Sequence, residues 1–248
     1  MSGEITADAF YNGRITIKQN KNGYRFSIDA ILLAAFVRPE KNDRIVDLGT
    51  GCGIIPLILT QRYPGIRVYG IEIQEQLAAL ANLNIKENQR DDRITILRAD
   101  MKDLKPDMLS GPANMVVSNP PYRKFDSGRI NPDPQKAVAR HEIKADLNDL
   151  LQSAVRLLNI SGKFFAVYPA WRMVDLLAGM RAHGIEPKYI RMVHSKKHED
   201  AELILVKGVK GSRPGLKTGP PLVIYSDSGG YTDEVRKIYS PDAGVDSD

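Results

Sequence analysis

Short apolar runs alternate with longer amphipathic segments through the middle of this chain. The short runs have the length and branched apolar content of strands, and the longer segments carry apolar residues at helical spacing. The predicted strands are RIVDLG (44–49), RVYGIEI, ITILRAD, ANMVVSN and KFFAVYP, and the predicted helices are IIPLILTQRY, QEQLAALANLNIKENQ, LNDLLQSAVRLLN and WRMVDLLAGMRAHG. This alternation predicts an α/β fold with a parallel sheet and helices on both faces. RIVDL and MVV are apolar on both sides of the strand, as a doubly covered sheet requires.

The last two predicted strands, KYIRMVH (188–194) and AELILVKGVK (201–210), are joined differently. Only a short loop separates them, whereas a parallel crossover needs about a dozen residues or more. The pair is therefore predicted to be antiparallel and to form a hairpin at one edge of the sheet.

The segment ahead of the alternating region predicts a small β-hairpin and one helix. GRITIKQ and YRFSI are alternating runs joined by the turn-forming stretch NKNG, and IDAILLAAFV is helical until RPE. Three parts are expected: an N-terminal hairpin and helix packed on the core at 1–40, the main domain at 41–227, and a C-terminal segment at 228–248. The end of that segment, SPDAGVDSD, has the composition of disordered chain.

Composition restricts the class of protein. The 248 residues, 42% of them apolar, suffice for one sizeable α/β domain. The single cysteine excludes an internal disulfide and fits a reducing compartment. The chain has neither an apolar run long enough to span a membrane nor a basic-then-apolar leader at its start, so a cytoplasmic protein without membrane association is expected.

The net charge of +5 comes with basic residues grouped in three places. The groups are Arg14, Lys18, Lys21 and Arg25; then Arg123, Lys124, Arg129, Lys136 and Arg140; and then the lysines and arginines of 188–217. One interpretation is a set of solvated faces, because lysine and arginine usually lie on surfaces. The other is a single electropositive surface for a phosphate-rich partner.

A glycine-rich turn follows the first strand of the alternating region. VDLGTGCGIIPLIL places Gly49, Gly51 and Gly53 between a strand and a helix, where the backbone can approach a ligand closely. NAD, FAD and S-adenosylmethionine proteins all use such a turn. Asp47 favours the last, because a carboxylate there would accept hydrogen bonds from a cationic amino group and would repel a pyrophosphate. The order Asp-x-Gly-x-Gly-x-Gly also resembles the methyltransferase motif.

Acidic residues end the next two strands. Glu72 can accept hydrogen bonds from both ribose hydroxyls of a nucleoside cofactor, whether NAD or S-adenosylmethionine, and we assign Ile73 to the same site. The resemblance to the methyltransferase motif implies that Asp100 accepts from an adenine amino group with Met101 packed nearby. The alternative is that Asp100 caps a helix in DMKDL.

Two other residue types argue against competing chemistries. Cys52 lies within the glycine turn without a paired histidine or second cysteine, so it is interpreted as a small apolar residue and not as a nucleophile. His194 and His198 have no evident third ligand, and no metal site is predicted.

The stretch VSNPPY ends the fourth predicted strand, because two prolines cannot continue a central strand. Asn-Pro-Pro-Tyr resembles the Asp/Asn/Ser-Pro-Pro-aromatic motif of amino-methyltransferases. In that chemistry an amino group with a delocalised lone pair needs an acceptor for each N–H bond. The Asn119 side-chain oxygen and the Pro120 carbonyl could supply them, Pro121 would fix their geometry, and Tyr122 would stack on the planar substrate.

The strand order and these motifs resemble Rossmann-like class I methyltransferases with a seven-stranded sheet. Three substrates use the motif: adenine N6, guanine N2 and the glutamine amide of release factors. The short N-terminus disfavours the glutamine enzymes, and the absence of a duplicated domain disfavours the guanine-N2 rRNA enzymes. GYRFSIDAILLAAF, DLGTGCGIIPLIL, GIEIQ, NPPY and YTDEVRKIY are together similar to a bacterial tRNA adenosine N6-methyltransferase family acting at adenosine 37 of a valine tRNA.

That resemblance implies S-adenosylmethionine as cofactor and tRNA as partner. With tRNA as partner, the basic residues of the N-terminal hairpin, of the 123–140 loop (Arg123, Lys124 and Arg140 among them) and of the C-terminal hairpin are expected to contact its phosphates. The target adenosine is expected to be flipped out and held by Asn-Pro-Pro-Tyr. Phe26 and Asp29, in FSIDA, either pack against the methionine end of the cofactor or begin a helix and continue into the core.

Overall fold

The computed structural model describes residues 5–20, 27–120 and 147–239. The strands are β1 Ile5–Phe10, β2 Ile15–Asn20, β3 Arg44–Leu48, β4 Arg67–Glu72, β5 Ile94–Arg98, β6 Ala113–Ser118, β7 Leu158–Pro169, β8 Ile185–His194, β9 Ala201–Lys210, β10 Lys217–Thr218 and β11 Leu222–Val223. The α-helices are α1 Ile28–Phe36, α2 Ile54–Arg62, α3 Glu75–Glu87, α4 Leu147–Leu157, α5 Met173–Ala182 and α6 Asp233–Ile238. Among the helices in these three ranges, none combines the length and apolar character needed to span a bilayer.

Seven long strands form the central sheet in the order β5-β4-β3-β6-β7-β9-β8. The neighbours from β5 to β7 pair in parallel, whereas β9 is antiparallel to both β7 and β8. The predicted seven-stranded, mostly parallel sheet and its antiparallel hairpin are therefore confirmed. One detail was not predicted: the two-residue strands β10 and β11 pair with β8, so β8 is not the outermost strand of the sheet.

Two buried apolar layers cover the faces of this sheet. One layer joins α1, α2 and residues of α3 to the sheet, and the other joins α4 and α5. The central strands are buried on both sides, as Ile45, Val46 and Leu48 of β3 show by being fully inaccessible to solvent. This is why their sequence is apolar without alternation.

The structure shows an N-terminal hairpin that was not predicted. Within the described residues, β2 pairs with the preceding strand β1 through a turn at 11–14, and the predicted pairing of β2 with YRFSI stays a prediction. Tyr11, Asn12 and Gly13 all have positive φ, which is the backbone that Asn-Gly turns favour. The stretch YNGR is thus the turn of this hairpin. Of YRFSI, Ser27 precedes α1 and Ile28 begins it, and 24–26 lie outside the described residues.

Both flanking segments pack on the main domain. The N–H groups of Thr16 and Lys18 in β2 donate to the side chains of Asn88 and Asn84 of α3, at 2.9 and 2.8 Å. Val235 of α6 is fully buried in the same apolar layer as α1. The boundaries 1–40, 41–227 and 228–248 stay a prediction.

Candidate active site

The order in which successive strands are added to the sheet reverses between β3 and β6. From β3 it proceeds to β4 and β5 on one side, and it then returns to β6 and β7 on the other side. Helices following the two halves leave a crevice at the carboxyl ends of β3 and β6, which is where open α/β sheets bind ligands. The glycine turn after β3 and Asn119 after β6 both border this crevice.

The glycine turn is held against the neighbouring strand by its own backbone. The N–H groups of Gly49 and Thr50 both donate to the carbonyl of Ile71, each at 2.9 Å. Gly49, Gly51 and Gly53 have φ of +78°, +58° and +84°, a conformation that favours glycine. A Cβ at Gly49 would meet no atom within 4 Å, so the space beside this turn is open to a ligand.

Glu72 is buried at the end of β4, with 5% of its surface exposed. One carboxylate oxygen accepts from the N–H of Gly51 at 3.0 Å, and the other accepts from the N–H of Gln74 at 2.9 Å. Each carboxylate oxygen has a further lone pair, so Glu72 can fix the turn and still accept from a ligand. The next residue, Ile73, is 49% exposed, which presents an apolar side chain at the same edge.

Asp47 is fully buried directly ahead of the turn. Neither of its carboxylate oxygens, nor the Thr50 hydroxyl, has a hydrogen-bond partner within the described residues. Burial raises the pKa of the Asp47 carboxyl to about 7. The nearby Thr50 hydroxyl lowers this pKa in part, although the two groups do not meet the distance and angle of a hydrogen bond. The negative charge of Glu72 raises the pKa further. A buried carboxylate without partners is costly, and a cationic group placed beside it would remove that cost.

Asp100 lies at the same edge, two residues after Arg98 of β5, which is the strand partner of Glu72. Its carboxylate accepts from the N–H of Lys102 at 2.9 Å and caps the short 3₁₀ helix Met101–Asp103. The capping alternative is therefore observed. The Met101 carbonyl accepts from the Arg156 guanidinium at 2.7 Å. The cofactor contacts assigned to Asp100 and Met101 stay predictions.

Asn119 and Pro120 follow β6 directly and are half-buried. Ser118, which is fully buried, donates from its hydroxyl to the carbonyl of Leu48 at 2.8 Å. This bond ties the end of β6 to the end of β3, so the position of Asn119 is set relative to the glycine turn. Sequence reasoning missed Ser118 and Thr50. The only signal for either was a hydroxyl residue at the end of a buried strand or within the turn.

Several predicted site residues cannot be placed. Phe26, Pro121, Tyr122, Arg123, Lys124 and Arg140 lie outside the described residues. Asp29 is placed in the first turn of α1, and burial raises the pKa of its carboxyl, against its hydrogen bond with Ser27. Its packing against a cofactor stays a prediction.

Cys52 is buried in the glycine turn with 1% of its surface exposed. Burial raises the pKa of its thiol to about 12, so the thiolate needed for nucleophilic attack is not formed near neutral pH. The Nδ1–H of His194 donates to the Glu199 carbonyl at 2.8 Å. In the ranges that the structure describes, no three His, Cys, Asp or Glu side chains are grouped to hold a metal ion.

The basic residues of 188–217 do not form one surface. Lys196 and Lys197 lie in the loop between β8 and β9, at the carboxyl edge of the parallel strands. Lys210 lies at the opposite end of β9 and donates to the carbonyls of Val155 and Leu158 at 2.7 and 2.8 Å. Arg191 pairs with Glu234 of α6. Of these residues, Lys196 and Lys197 lie at the edge of the sheet that holds the crevice.

Comparisons with known proteins agree with this arrangement. The family model of the methyltransferase small domain matches residues 26–171. A tRNA1(Val) (adenine(37)-N6)-methyltransferase of Porphyromonas gingivalis is 30% identical over 246 residues, covering 96% of this chain and 95% of the relative. Relatives with the same name from Pedobacter heparinus and Aeromonas hydrophila are 29% and 28% identical, each over 93% of this chain and 96% and 97% of their own.

Solved structures share the fold at lower identity. A predicted O-methyltransferase from Agrobacterium tumefaciens superposes with a TM-score of 0.70 at 22% identity, over 88% of this chain and 98% of its own. M. jannaschii TYW2 in complex with AdoMet superposes with a TM-score of 0.55 at 16% identity, over 84% of this chain and 86% of its own. These similarities establish the class I methyltransferase fold.

Proposed function

This chain belongs to the methyltransferase small-domain family and to the tRNA1(Val) (adenine(37)-N6)-methyltransferases, and we propose that it methylates N6 of an adenosine in tRNA. The substrate is position 37 of a valine tRNA, and the methyl donor is S-adenosylmethionine. The observation that carries the proposal is the meeting of the glycine turn, Asp47 and Asn119 at the reversal point of the sheet. We place the enzyme in the cytoplasm with its tRNA.

The residues beside the glycine turn fit the cofactor. The Asp47 carboxylate, which has no hydrogen-bond partner within 5–20, 27–120 and 147–239, suits the cationic amino group of the methionine part. Glu72 has lone pairs left for the ribose hydroxyls, and exposed Ile73 offers an apolar surface for the adenine ring. Asp100 and Met101 complete the part of the site that holds the adenine of the cofactor. The cofactor supplies an electrophilic methyl group on a sulfonium, so the protein needs to provide orientation and not activation.

Asn119 and Pro120 orient the nucleophile. The adenine N6 lone pair is delocalised into the ring, and it becomes available when both N–H bonds are held by acceptors in one geometry. The side-chain oxygen of Asn119 and the carbonyl of Pro120 supply these acceptors at the end of β6. The hydrogen bond from Ser118 to Leu48 keeps them in fixed relation to the turn that holds the cofactor. We assign to Tyr122 the role of stacking on the flipped base, and to Pro121 that of fixing the geometry of the motif.

The basic segment after the motif binds the phosphates of the anticodon arm. Arg123, Lys124 and Arg140 would position the RNA without reading its sequence, because phosphate contacts carry affinity and register. Binding should therefore weaken as salt rises, in proportion to the number of phosphates contacted.

The direct test is methyl transfer to tRNA lacking the modification, followed by nucleoside mass spectrometry. We expect N6-methyladenosine at position 37 of the valine tRNA. Label found only in protein would point to a glutamine substrate, and N2-methylguanosine would point to a guanine substrate. Either result would overturn the proposal.

Replacing Asn119 tests its assigned role. Asn119→Ala should lower kcat by roughly 100- to 1000-fold, because one preorganised acceptor of the reacting group is lost. The dissociation constant for S-adenosylmethionine, measured by calorimetry, should stay within about threefold of the wild type, near the precision of such comparisons. Asn82→Ala on the exposed side of α3 is the matched control and should leave both values unchanged. Near-normal turnover of Asn119→Ala would remove Asn119 from the mechanism.

A further inference from the structure

Trp171 is the only tryptophan of the chain, and 65% of its surface is exposed. It lies in the 3₁₀ helix Ala170–Arg172, which begins where β7 ends. Val174, in the first turn of α5, is 73% exposed. An indole of this size usually contributes to a core or an interface, so an exposed one beside a second apolar side chain indicates a binding surface.

Trp171 lies at the same edge of the sheet as Asn119. β7 is the direct neighbour of β6, with Ser118 opposite Ala166 in the parallel register. The chain needs only three more strand residues and one 3₁₀ turn to reach Trp171. The strand and helix rises place the indole on the order of 10 Å beyond Asn119.

The indole is held in place although it is exposed. The Arg172 guanidinium lies 5.8 Å from the centroid of the Trp171 ring and 5.4 Å from that of the buried Tyr168 ring. Arg172 also donates to the Asp175 carboxylate at 3.2 Å. A cation fixed between two rings limits the motion of the exposed one, which preorganises it for stacking.

Charge alone does not explain this surface. The neighbouring β8–β9 loop carries Lys196 and Lys197, but also Glu199 and Asp200, and Lys196 lies 3.8 Å from the Glu199 carboxylate. A partner that binds through its negative charge alone would not favour a loop that carries both basic and acidic side chains. Aromatic stacking is attractive to any nucleobase and does not need net charge.

We propose that Trp171 stacks on a nucleobase of the tRNA that flanks the target adenosine, with Lys197 contacting the phosphate beside it. This inference rests on the proposed function, and it adds a substrate-binding residue outside the Asn-Pro-Pro-Tyr motif. A bound protein or a second copy of the chain over Trp171 would cover the approach to Asn119 and block an RNA substrate. A nucleotide next to the target adenosine can cover Trp171 and still leave Asn119 accessible to the reacting base.

The single tryptophan makes the contact directly measurable. Titration of the enzyme with an unmodified anticodon stem-loop of the valine tRNA, after saturation with S-adenosylhomocysteine, should quench the fluorescence of Trp171 and shield it from acrylamide. An unchanged spectrum at RNA concentrations that saturate binding, measured independently by filter retention, would overturn the proposal. A change that depends on protein concentration without RNA would overturn it in favour of self-association.

Two substitutions separate stacking from structure. Trp171→Ala should raise KM for tRNA by roughly 5- to 100-fold, the range for loss of one base–aromatic stack, with the affinity for S-adenosylmethionine unchanged. Trp171→Phe should recover most of the loss, because it restores a stacking ring. The control is Ile160→Ala, which removes an 89% exposed apolar side chain near the start of β7, at the opposite edge.

The outcomes also separate this inference from the proposed function. If the wild type methylates the tRNA and Trp171→Ala has an unchanged KM, the stacking contact is wrong and the function stands. If the wild type methylates no RNA but the stem-loop quenches Trp171 and Trp171→Ala loses that binding, the stacking contact stands and the function is wrong.

Discussion

Replacing Asp47 by asparagine should make the cofactor-free protein less sensitive to pH. The carboxyl is fully buried, and its pKa is raised from an ordinary value near 4 to about 7. Between these two values the folded protein holds a proton that the unfolded chain has released. Stability therefore falls as pH rises through this window and levels off above about pH 7.

The size of the effect follows from the shift. Each pKa unit corresponds to about 1.4 kcal/mol. With a folded pKa of about 7 and an unfolded pKa near 4, Asp47 alone removes about 2.5 kcal/mol of stability between pH 5 and pH 8. For a chain of this length that corresponds to roughly 5–10 °C in Tm.

The assay is chemical denaturation of cofactor-free protein at pH 5 and pH 8. Between pH 5 and pH 8, the free energy of unfolding of the wild type should fall by about 2.5 kcal/mol more than that of Asp47→Asn. Asp91→Asn removes an exposed carboxylate and serves as the control, with the pH dependence of the wild type. Parallel pH profiles for wild type and Asp47→Asn would refute the reasoning, because the carboxyl would then have an ordinary pKa in the folded state.

Two further substitutions test neighbouring residues. Glu72→Gln replaces one of two acceptors of backbone N–H groups by a donor, so we expect a loss of about 1–3 kcal/mol in stability and a rise of at least roughly tenfold in the S-adenosylmethionine dissociation constant, measured by denaturation and calorimetry. An unchanged affinity would exclude Glu72 from the cofactor site. Cys52→Ala should retain kcat within about twofold, because the buried thiol is not a nucleophile. A large loss of tRNA methylation with an unaltered fold would contradict that assignment.

The order of strands and helices could be predicted because burial leaves a direct mark on sequence. Strands such as β3 are covered on both faces, so they are short continuous apolar runs, and the helices between them need only one apolar side. The antiparallel β9 followed from the length of one loop. In each case one local feature was enough to exclude the alternatives.

The hairpin between β1 and β2 was not predicted, because the chain has an Asn-Gly stretch on each side of the same strand. YNGR at 11–14 forms the observed turn with positive φ, whereas the sequence pattern favoured NKNG at 20–23 as the turn. The observed pairing also lets β2 bond to Asn84 and Asn88 of α3. These contacts are distant in sequence, so no local pattern could have indicated them.

The candidate site was only partly predictable, for a related reason. Asp47, Glu72 and Asn119 could be assigned because each ends or nearly ends a buried strand. That Asp47 lacks any partner among the described residues, whereas Glu72 has two, depends on the path of the turn in three dimensions. The 65% exposure of Trp171 likewise depends on the path of the chain at the end of β7 in three dimensions, which no local sequence pattern indicates.

The different surroundings of Asp47 and Glu72 indicate different roles for the two acids, of which Asp47 directly precedes the glycine turn and Glu72 accepts a hydrogen bond from it. Glu72 is hydrogen-bonded in the cofactor-free protein, so it supports the turn before any ligand arrives. Asp47 is buried with no hydrogen-bond partner in the part of the chain that the structure describes, so the folded protein carries a cost that a bound cation removes. The affinity for S-adenosylmethionine should then rise with pH up to about 7, as Asp47 becomes ionised. A neutral asparagine at position 47 would remove the cost of burying a carboxylate, and it would also remove the attraction for the cationic cofactor. The charge of Asp47 therefore links the stability of this fold to the binding of its cofactor.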